Sequence, residues 1–167
     1  HLIKTPNKII FEFNRTKIFF ERLLTQKIDL KRPTLDLNNH VNLSLPKKYL
    51  TLFIGATNYC RCWPIENFVK VIEYILANFK DVDILICGGS GELAESNKIT
   101  KILKNKRIHN YVGLTTLMNL IEIISKSRML LSNESNAPHI AVAFEVHTIV
   151  LYNGLNFRRF APYPKNM

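Results

Sequence analysis

The chain has 167 residues, of which 47% are apolar, and this size and composition predict one soluble globular domain, with or without an extra arm. Its apolar runs are short and Lys4 and Lys8 lie in a leader without an apolar block, so we expect neither a signal peptide nor a membrane span. The formal net charge of +10 predicts an anionic partner, which by charge alone is a nucleic acid, an acidic membrane face, a phosphorylated glycan or a nucleotide sugar.

The first 49 residues differ in kind from the rest of the chain. Residues 11–27 are basic and aromatic and are compatible with a helix, and residues 33–46 form a polar stretch. We interpret residues 1–49 as a connecting arm that contains a helix. The chain stops in a proline-rich, loop-like sequence at residues 161–167, and we interpret it as a piece of a longer protein.

From residue 50 onward, strand-like and helix-like segments alternate, which predicts an α/β fold with a parallel sheet flanked by helices. The predicted strands are residues 50–56, 82–87, 108–112, 129–132 and 148–152. The predicted helices between them are residues 65–79, 92–104, 117–126 and 137–144.

Two of these helices have apolar residues at the three-and-four spacing that places one face against a core. In the first helix these are Phe68, Val71, Ile72, Ile75, Leu76 and Phe79. In the third they are Leu117, Leu120, Ile121 and Ile124, with Thr115 or Thr116 as its N-cap.

The loops after the strands are polar, and in an open parallel sheet ligands bind at this edge. Thr57 and Arg61 follow the first strand, and an arginine there can pair with phosphate oxygens, although it is equally an ordinary surface residue. Trp63 is expected to anchor this loop by burial.

Gly88, Gly89 and Glu92 follow the second strand, where a carboxylate can accept bonds from ribose hydroxyls. This pattern matches neither the Walker motif nor G-x-G-x-x-G, and glycines here can simply form a turn.

The loops after the third and fourth strands add further polar groups. Gly113 and Thr115 follow the third strand and offer a backbone and a hydroxyl to a ligand base. The fourth strand ends in a cluster at the start of a helix, where unpaired N–H groups and the helix dipole attract anions: Glu134, Ser135, Asn136 and His139. The alternative is that this cluster only caps the helix and that His139 is a core histidine. A fifth loop carries Arg158 and Arg159.

Several other kinds of site are not indicated. The three cysteines Cys60, Cys62 and Cys87 lack the second pair that a structural zinc site needs, and reduced thiols in a cytosolic protein are the expectation. The chain shows no Ser-His-Asp order, no H-E-x-x-H and no D-x-D motif. We therefore predict neither a metal nor a cofactor.

The run L-L-S-N-E-S-N-A-P-H-I-A-V-A-F at residues 130–144, with I-V-L-Y-N-G behind it, resembles the signature S-N-D-T-G-x-x-H-x-A-x-A of glycosyltransferase family 9, the lipopolysaccharide heptosyltransferases. Residues 61–64 likewise resemble its K/R-x-W-P segment, residues 87–89 its G-G turn and residues 112–117 its G-x-x-S/T-L segment. The four segments occur in the family's order and span most of residues 50–155.

The resemblance implies the C-terminal, donor-binding half of a GT-B enzyme, with residues 50–167 as a Rossmann-like nucleotide-sugar domain. It implies an inverting, metal-independent transfer of a heptose-type sugar from an ADP-sugar to the lipid A–core oligosaccharide, in the cytoplasm at the inner membrane face. It places Arg61 at the donor phosphates, Glu92 at the ribose and Thr115 near the adenine. Thr57, Gly88, Gly89 and Gly113 are further donor-binding candidates, and Glu134, Ser135, Asn136 and His139 surround the diphosphate and sugar.

This sequence departs from the signature at two positions. Glu134 stands where aspartate is usual and Asn136 where glycine is usual, which changes the sugar pocket. The resemblance implies that the catalytic base belongs to an N-terminal half outside these residues, so no catalytic residue is assigned.

Two other functions stay open at this point. A nucleic-acid-binding α/β module is motivated by the charge and by the aromatic and basic residues 11–27. Against it, we take the basic residues to be spread along the chain, so no nucleic-acid partner is expected. A non-catalytic domain that holds a nucleotide sugar is consistent with Asn136 in place of glycine.

Overall fold

The computed structural model describes residues 9–36 and 43–164, which form two compact units. The larger, sheet unit lies within residues 34–151 and the smaller, helical unit combines residues up to 33 with residues from 152 onward. The expectation about a signal peptide falls on leader residues outside the described ranges. Among the described helices, none has both the length and the apolar character needed to cross a membrane.

The sheet unit is built on five parallel strands in the order β3-β2-β1-β4-β5, which confirms the predicted parallel α/β fold. The strands are β1 Tyr49–Phe53, β2 Asp83–Cys87, β3 Ile108–Asn110, β4 Leu130–Asn133 and β5 Thr148–Leu151. In the central pairing, Thr51 of β1 lies opposite Leu130 of β4 and Phe53 opposite Ser132. The first strand ends three residues earlier than predicted.

Four helices connect these strands, and a fifth precedes them in the chain. The helices are α1 Glu12–Leu24, α2 Ile65–Asn78, α3 Leu93–Leu103, α4 Leu117–Ser125 and α5 Ala137–Ala143. Short 3-10 turns at Tyr59–Arg61 and Ser90–Glu92 precede α2 and α3. Each predicted helix of the sheet unit is present with ends within one residue of those expected.

The hydrophobic core has two layers, one on each face of the sheet. In one layer Phe68 and Ile72 of α2 and Ile99 of α3 pack on Ile84 and Ile86 of β2, all fully buried. The other layer combines α4 and α5 with the opposite face, with Ile123 and Ile124 fully buried beside Leu85. Burial on both faces explains why the strands read as apolar runs rather than alternating patterns.

Two predicted core residues are exposed. Phe79 is 48% exposed because α2 ends at Asn78 and the extended backbone of Phe79 leaves the helical stripe. Leu117 is 60% exposed because it is the first residue of α4, before the turn that reaches the core. Thr116 is the cap of α4, with its Oγ1 accepting from Asn119 N at 3.2 Å.

The described part of the helical unit consists of residues 9–33, which include α1, and residues 152–164. Glu12 N donates to Arg159 O at 2.8 Å, and the Arg159 Nε lies 3.0 Å from Glu12 Oε2. The rings of Phe11 and Tyr163 meet edge to face with centroids 5.1 Å apart. The helix expected within residues 11–27 is therefore present. Residues 152–164 group with α1, and the division into an arm of residues 1–49 and a Rossmann-like domain of residues 50–167 stays a prediction.

The two units differ in net charge, although both contain basic residues. The described part of the helical unit has eight Lys and Arg against three Asp and Glu, a net charge of +5. The described part of the sheet unit has twelve against ten, a net charge of +2, although it is about three times longer. Basic residues therefore occur in both units, and their excess over acidic residues is larger in the helical unit.

Candidate functional site

A cleft opens at the carboxyl end of the sheet where the chain changes direction. From β1 the chain proceeds to β2 and β3 on one side and then returns to β4 on the other, so the loops after β1 and β4 diverge. Such a switch point is where open α/β sheets bind ligands. The cleft has a volume of about 380 Å³ and is lined by Phe53, Gly55, Ala56, Thr57, Gly89, Glu92, Ser135 and Asn136.

The cleft brings together five of the eleven predicted site residues, from three different loops. These are Thr57, Gly89, Glu92, Ser135 and Asn136. The other six do not line it: Arg61, Gly88, Gly113, Thr115, Glu134 and His139. The prediction missed Phe53, Gly55 and Ala56, although two small residues directly after β1 are a usable sign of close backbone approach.

Glu92 is the side chain on which the glycines of two loops converge. Its Oε2 accepts a hydrogen bond from Gly89 N at 2.7 Å. A Cβ at Gly55 would come within 2.7 Å of the same oxygen, and one at Gly88 within 3.2 Å. The glycines therefore make room for this carboxylate. This role is more specific than the simple turn formation that we considered as the alternative.

The loop after β3 is tied to the loop after β2. Gly113 has φ of +71°, a left-handed conformation that favours glycine, and its N–H donates to Gly88 O at 3.1 Å. Gly88 and Gly113 thus shape the wall behind Glu92. Thr115 is half-buried next to the α4 cap, and its predicted role near an adenine stays a prediction.

The start of α5 has fewer free donors than the sequence indicated. Ser135 Oγ accepts from Ala137 N at 3.3 Å, and Pro138 has no N–H to offer. Asn136 forms no side-chain cap and is one of the residues that line the cleft. The capping interpretation is therefore correct for Ser135. Side-chain groups, more than helix N–H groups, supply the polar surface at this edge.

Glu134 and His139 lie beneath this surface rather than in it. Glu134 is 6% exposed, and its buried Oε2 has no hydrogen-bond partner in the described part of the chain. Burial lowers the pKa of His139, and the negative charge of Glu134 opposes that shift. The two groups are therefore electrostatically coupled at the base of α5.

Arg61 ends the 3-10 turn that follows β1. Asn58 caps this turn, with its Oδ1 accepting from Cys60 N at 3.1 Å. The Arg61 Nε is buried and, among the residues with described positions, has no hydrogen-bond partner. Arg61 does not line the cleft, so its predicted phosphate-binding role stays a prediction.

Asn133, which is not among the predicted site residues, is fully buried at the end of β4. Its Nδ2 donates to Ile54 O at 2.6 Å, and its Oδ1 accepts from Trp63 N at 3.0 Å. Trp63 is half-buried with its ring edge to face on Phe68, as an anchoring role predicts. The usable signal was a polar amide in a buried strand, which requires internal partners.

No group of three or more His, Cys, Asp and Glu side chains within residues 9–36 and 43–164 is placed to hold a metal ion. The expectation of a metal-independent protein stays a prediction.

None of the three cysteines, all of which the structure describes, forms a disulfide, and they differ in environment, so their reactivities should differ. Burial raises the pKa of Cys87 to about 12, and burial followed by the charge of Glu92 raises that of Cys62. Cys60 is exposed. Because the thiolate is the reactive form, we expect a disulfide reagent at pH 8 to modify Cys60 first, Cys62 more slowly and Cys87 only after unfolding. Mass spectrometry of peptides over time checks this order, and early labelling of Cys87 would contradict the packing of β2.

Comparison with known proteins places this arrangement among sugar-transferring enzymes. The sequence model described as glycosyltransferase family 9 (heptosyltransferase) matches residues 20–167. Lipooligosaccharide heptosyltransferase 2 of Campylobacter jejuni is 30% identical over 98% of this chain and 56% of its own length. The chain therefore spans about half of that relative.

Solved structures support the same fold. A family 9 glycosyl transferase from Veillonella parvula matches 94% of this chain and 49% of its own with a TM-score of 0.67 and 15% identity. The E. coli heptosyltransferase WaaC, solved with ADP-2-deoxy-2-fluoro heptose, matches 99% of this chain and 50% of its own, with a TM-score of 0.64 and 16% identity. The sheet unit is thus a Rossmann-like domain of the type found in these proteins.

Proposed function

This chain belongs to glycosyltransferase family 9, and on that premise we propose that it is the donor-binding half of a heptosyltransferase-like enzyme. The proposed donor is an ADP-linked heptose or a related nucleotide sugar, and the proposed acceptor is a lipopolysaccharide core. Two similar proteins support the choice: a lipooligosaccharide heptosyltransferase and a heptosyltransferase solved with an ADP-linked heptose analogue.

The observation that carries the proposal is the cleft at the β1/β4 switch point. Its lining residues include Thr57, Ser135, Asn136 and Glu92, whose side chains carry hydroxyl, amide and carboxylate groups. Glu92 Oε2 is held by Gly89 N, and a carboxylate fixed in this way suits ribose hydroxyls. Arg61 does not line the cleft but belongs to the same loop as Thr57, and a guanidinium suits a diphosphate that extends from the cleft.

The proposed chemistry is a metal-independent, inverting displacement at the anomeric carbon of the donor sugar. Negative charge then develops on the departing nucleoside diphosphate. Arg61 stabilises that charge electrostatically, since a guanidinium positioned before the reaction costs no reorganisation during it. The base that activates the acceptor hydroxyl is assigned to the part of the enzyme that this chain does not include, so we expect donor binding and no transfer from these residues.

The proposed acceptor is an anionic glycolipid at the cytoplasmic face of the inner membrane. The concentration of positive charge in the helical unit supports such a partner, because a basic surface attracts anionic headgroups and phosphorylated glycans. No nucleic-acid partner is proposed, since the polar cleft would then have no role.

Calorimetric titration with ADP tests the donor site. We expect saturable binding of ADP, tighter than that of UDP, and a loss of about tenfold or more on Arg61→Ala, because a charge-assisted hydrogen bond contributes roughly 1.5–3 kcal/mol. Arg128→Ala is the matched control, since Arg128 is exposed just before β4, at the opposite end of the sheet.

A single-stranded oligonucleotide at two salt concentrations completes the titration. Binding of the oligonucleotide alone, with steep salt dependence, would reject the donor-site proposal in favour of a nucleic-acid function. Equal losses of ADP affinity on Arg61→Ala and Arg128→Ala would reject the assigned role of Arg61.

A further inference from the structure

Asn133 lies at the point where β1 and β4 separate. Their parallel pairing ends with Phe53 opposite Ser132, so Ile54 and Asn133 would form the next pair. Asn133 instead lies opposite Leu151 of β5 in the sheet, and its side chain is fully buried. A buried amide needs partners for both its oxygen and its nitrogen.

Both partners of the Asn133 amide belong to the ends of one loop. Nδ2 donates to Ile54 O at 2.6 Å, and Oδ1 accepts from Trp63 N at 3.0 Å. Ile54 immediately precedes residues 55–62 and Trp63 immediately follows them. We call residues 55–62 the β1 loop. One side chain from β4 therefore closes the base of the loop that carries Thr57 and Arg61.

We call the two hydrogen bonds of the Asn133 amide the Asn133 brace. The other hydrogen bonds described for the β1 loop do not replace it. Within the β1 loop, Arg61 N donates to Asn58 O at 2.9 Å and Cys62 N donates to Tyr59 O at 2.9 Å, and both bonds are turns inside the loop. Ile54 N donates to Cys87 O at 3.0 Å, which fixes the loop entrance to β2. The Asn133 amide instead attaches both ends of the β1 loop to β4, which lies on the other side of the cleft.

We propose that Asn133 is a positioning residue for donor binding, which holds the β1 loop against the switch point so that Thr57 and Arg61 face the nucleotide sugar. This role rests on the proposed function of the cleft. The pairing of the β1 and β4 backbones must end for the cleft to open, and beyond that point the Asn133 side chain links the two strands. The cleft can therefore be open while the β1 loop stays fixed.

The substitutions Asn133→Ala and Asn133→Asp test the brace. Asn133→Ala removes both bonds and leaves Ile54 O and Trp63 N without their partner, and an unsatisfied buried group costs enough to disfavour the native loop. We expect ADP affinity to fall about tenfold or more. Asn133→Asp keeps the acceptor for Trp63 N and loses the donor to Ile54 O, so we expect a loss of ADP affinity with the environment of Trp63 better preserved.

Fluorescence provides a readout that does not depend on a ligand. Trp63 is the only tryptophan of the chain, so its emission reports directly on the exit of the β1 loop. We expect a red shift in Asn133→Ala as Trp63 becomes more hydrated. The control is Tyr49→Phe, which also removes one buried hydrogen bond from the sheet, Tyr49 Oη to Ile123 O at 2.8 Å, at the other end of β1. It should change neither Trp63 emission nor ADP affinity.

Hydrogen exchange on the unmodified chain keeps the proposal testable if Asn133→Ala fails to fold. The Trp63 amide should exchange as slowly as the amides of β4, because it donates to a fully buried side chain. Fast exchange of Trp63, or unchanged ADP affinity and emission in a folded Asn133→Ala, would overturn the proposal. If the unmodified chain fails to bind ADP, the proposed function is wrong. Hydrogen exchange of the Trp63 amide and the fluorescence emission of Trp63 still show whether Asn133 holds the β1 loop.

Discussion

Replacing Gly55 with alanine is expected to weaken ADP binding about tenfold or more. The new Cβ would lie 2.7 Å from Glu92 Oε2 and 2.9 Å from its Cδ, distances at which the carboxylate must move. That movement breaks the 2.7 Å bond from Gly89 N and removes the carboxylate from the position proposed for ribose recognition. The affinity estimate is the loss of one charge-assisted hydrogen bond, and calorimetry with ADP measures it.

Gly91→Ala is the matched control for this substitution, because a Cβ at Gly91 meets no atom within 4 Å. A double variant sharpens the test. In a Glu92→Ala background the clashing carboxylate is gone, so adding Gly55→Ala should have little further effect on affinity. Additive losses would show that Gly55 acts through something other than Glu92. The amide resonance of Gly89 in NMR spectra should shift in Gly55→Ala and not in Gly91→Ala.

Replacing Arg107 with alanine is expected to lower the free energy of unfolding by about 2–4 kcal/mol. The guanidinium satisfies three carbonyls at the end of α2: Nη2 donates to Leu76 O at 2.6 Å, and Nη1 donates to Phe79 O at 2.6 Å and Val82 O at 3.1 Å. A cation there also complements the negative end of the helix dipole. Urea unfolding followed by circular dichroism measures the loss.

Two variants separate the contributions at this position. Lys106→Ala removes a neighbouring exposed charge and should change stability by less than about 0.5 kcal/mol. Arg107→Lys keeps the charge but loses the planar fork, so we expect it to recover only a minor part of the stability. A stability of Arg107→Lys equal to that of the unmodified chain would mean that charge, and not hydrogen-bond geometry, supports the end of α2.

The fold was largely predictable because it depends on patterns that are local in sequence. The apolar spacing of Phe68, Ile72, Ile75 and Leu76 reflects burial of one helix face, and all four residues are buried. Phe79 continues the same spacing but lies outside the helix. Periodicity does not show where a helix ends, and the side chain that binds the carbonyls of Leu76 and Phe79 at this end, that of Arg107, is distant in sequence.

The grouping of several candidate residues was predictable, while their binding roles stay predictions. The rule that ligands bind at the carboxyl ends of parallel strands predicted that Thr57, Glu92 and Ser135 lie at one edge, and all three line the same cleft. It did not distinguish residues in the wall from residues below it, such as Glu134. The role of Asn133 was also out of reach, because its two bonds join positions 70 and 79 residues away. Hydrogen bonds of this kind follow from the completed sheet.

The central place of β1 has a consequence for how the protein is made on the ribosome. β1 has β2 on one side and β4 on the other, and β4 is synthesised some 80 residues after it. While residues 54–129 emerge, β1 can pair only with β2, and its other edge stays available to other chains. We therefore expect the nascent half-sheet to require protection by a chaperone until β4 arrives, and the last pairing to occur where the cleft forms.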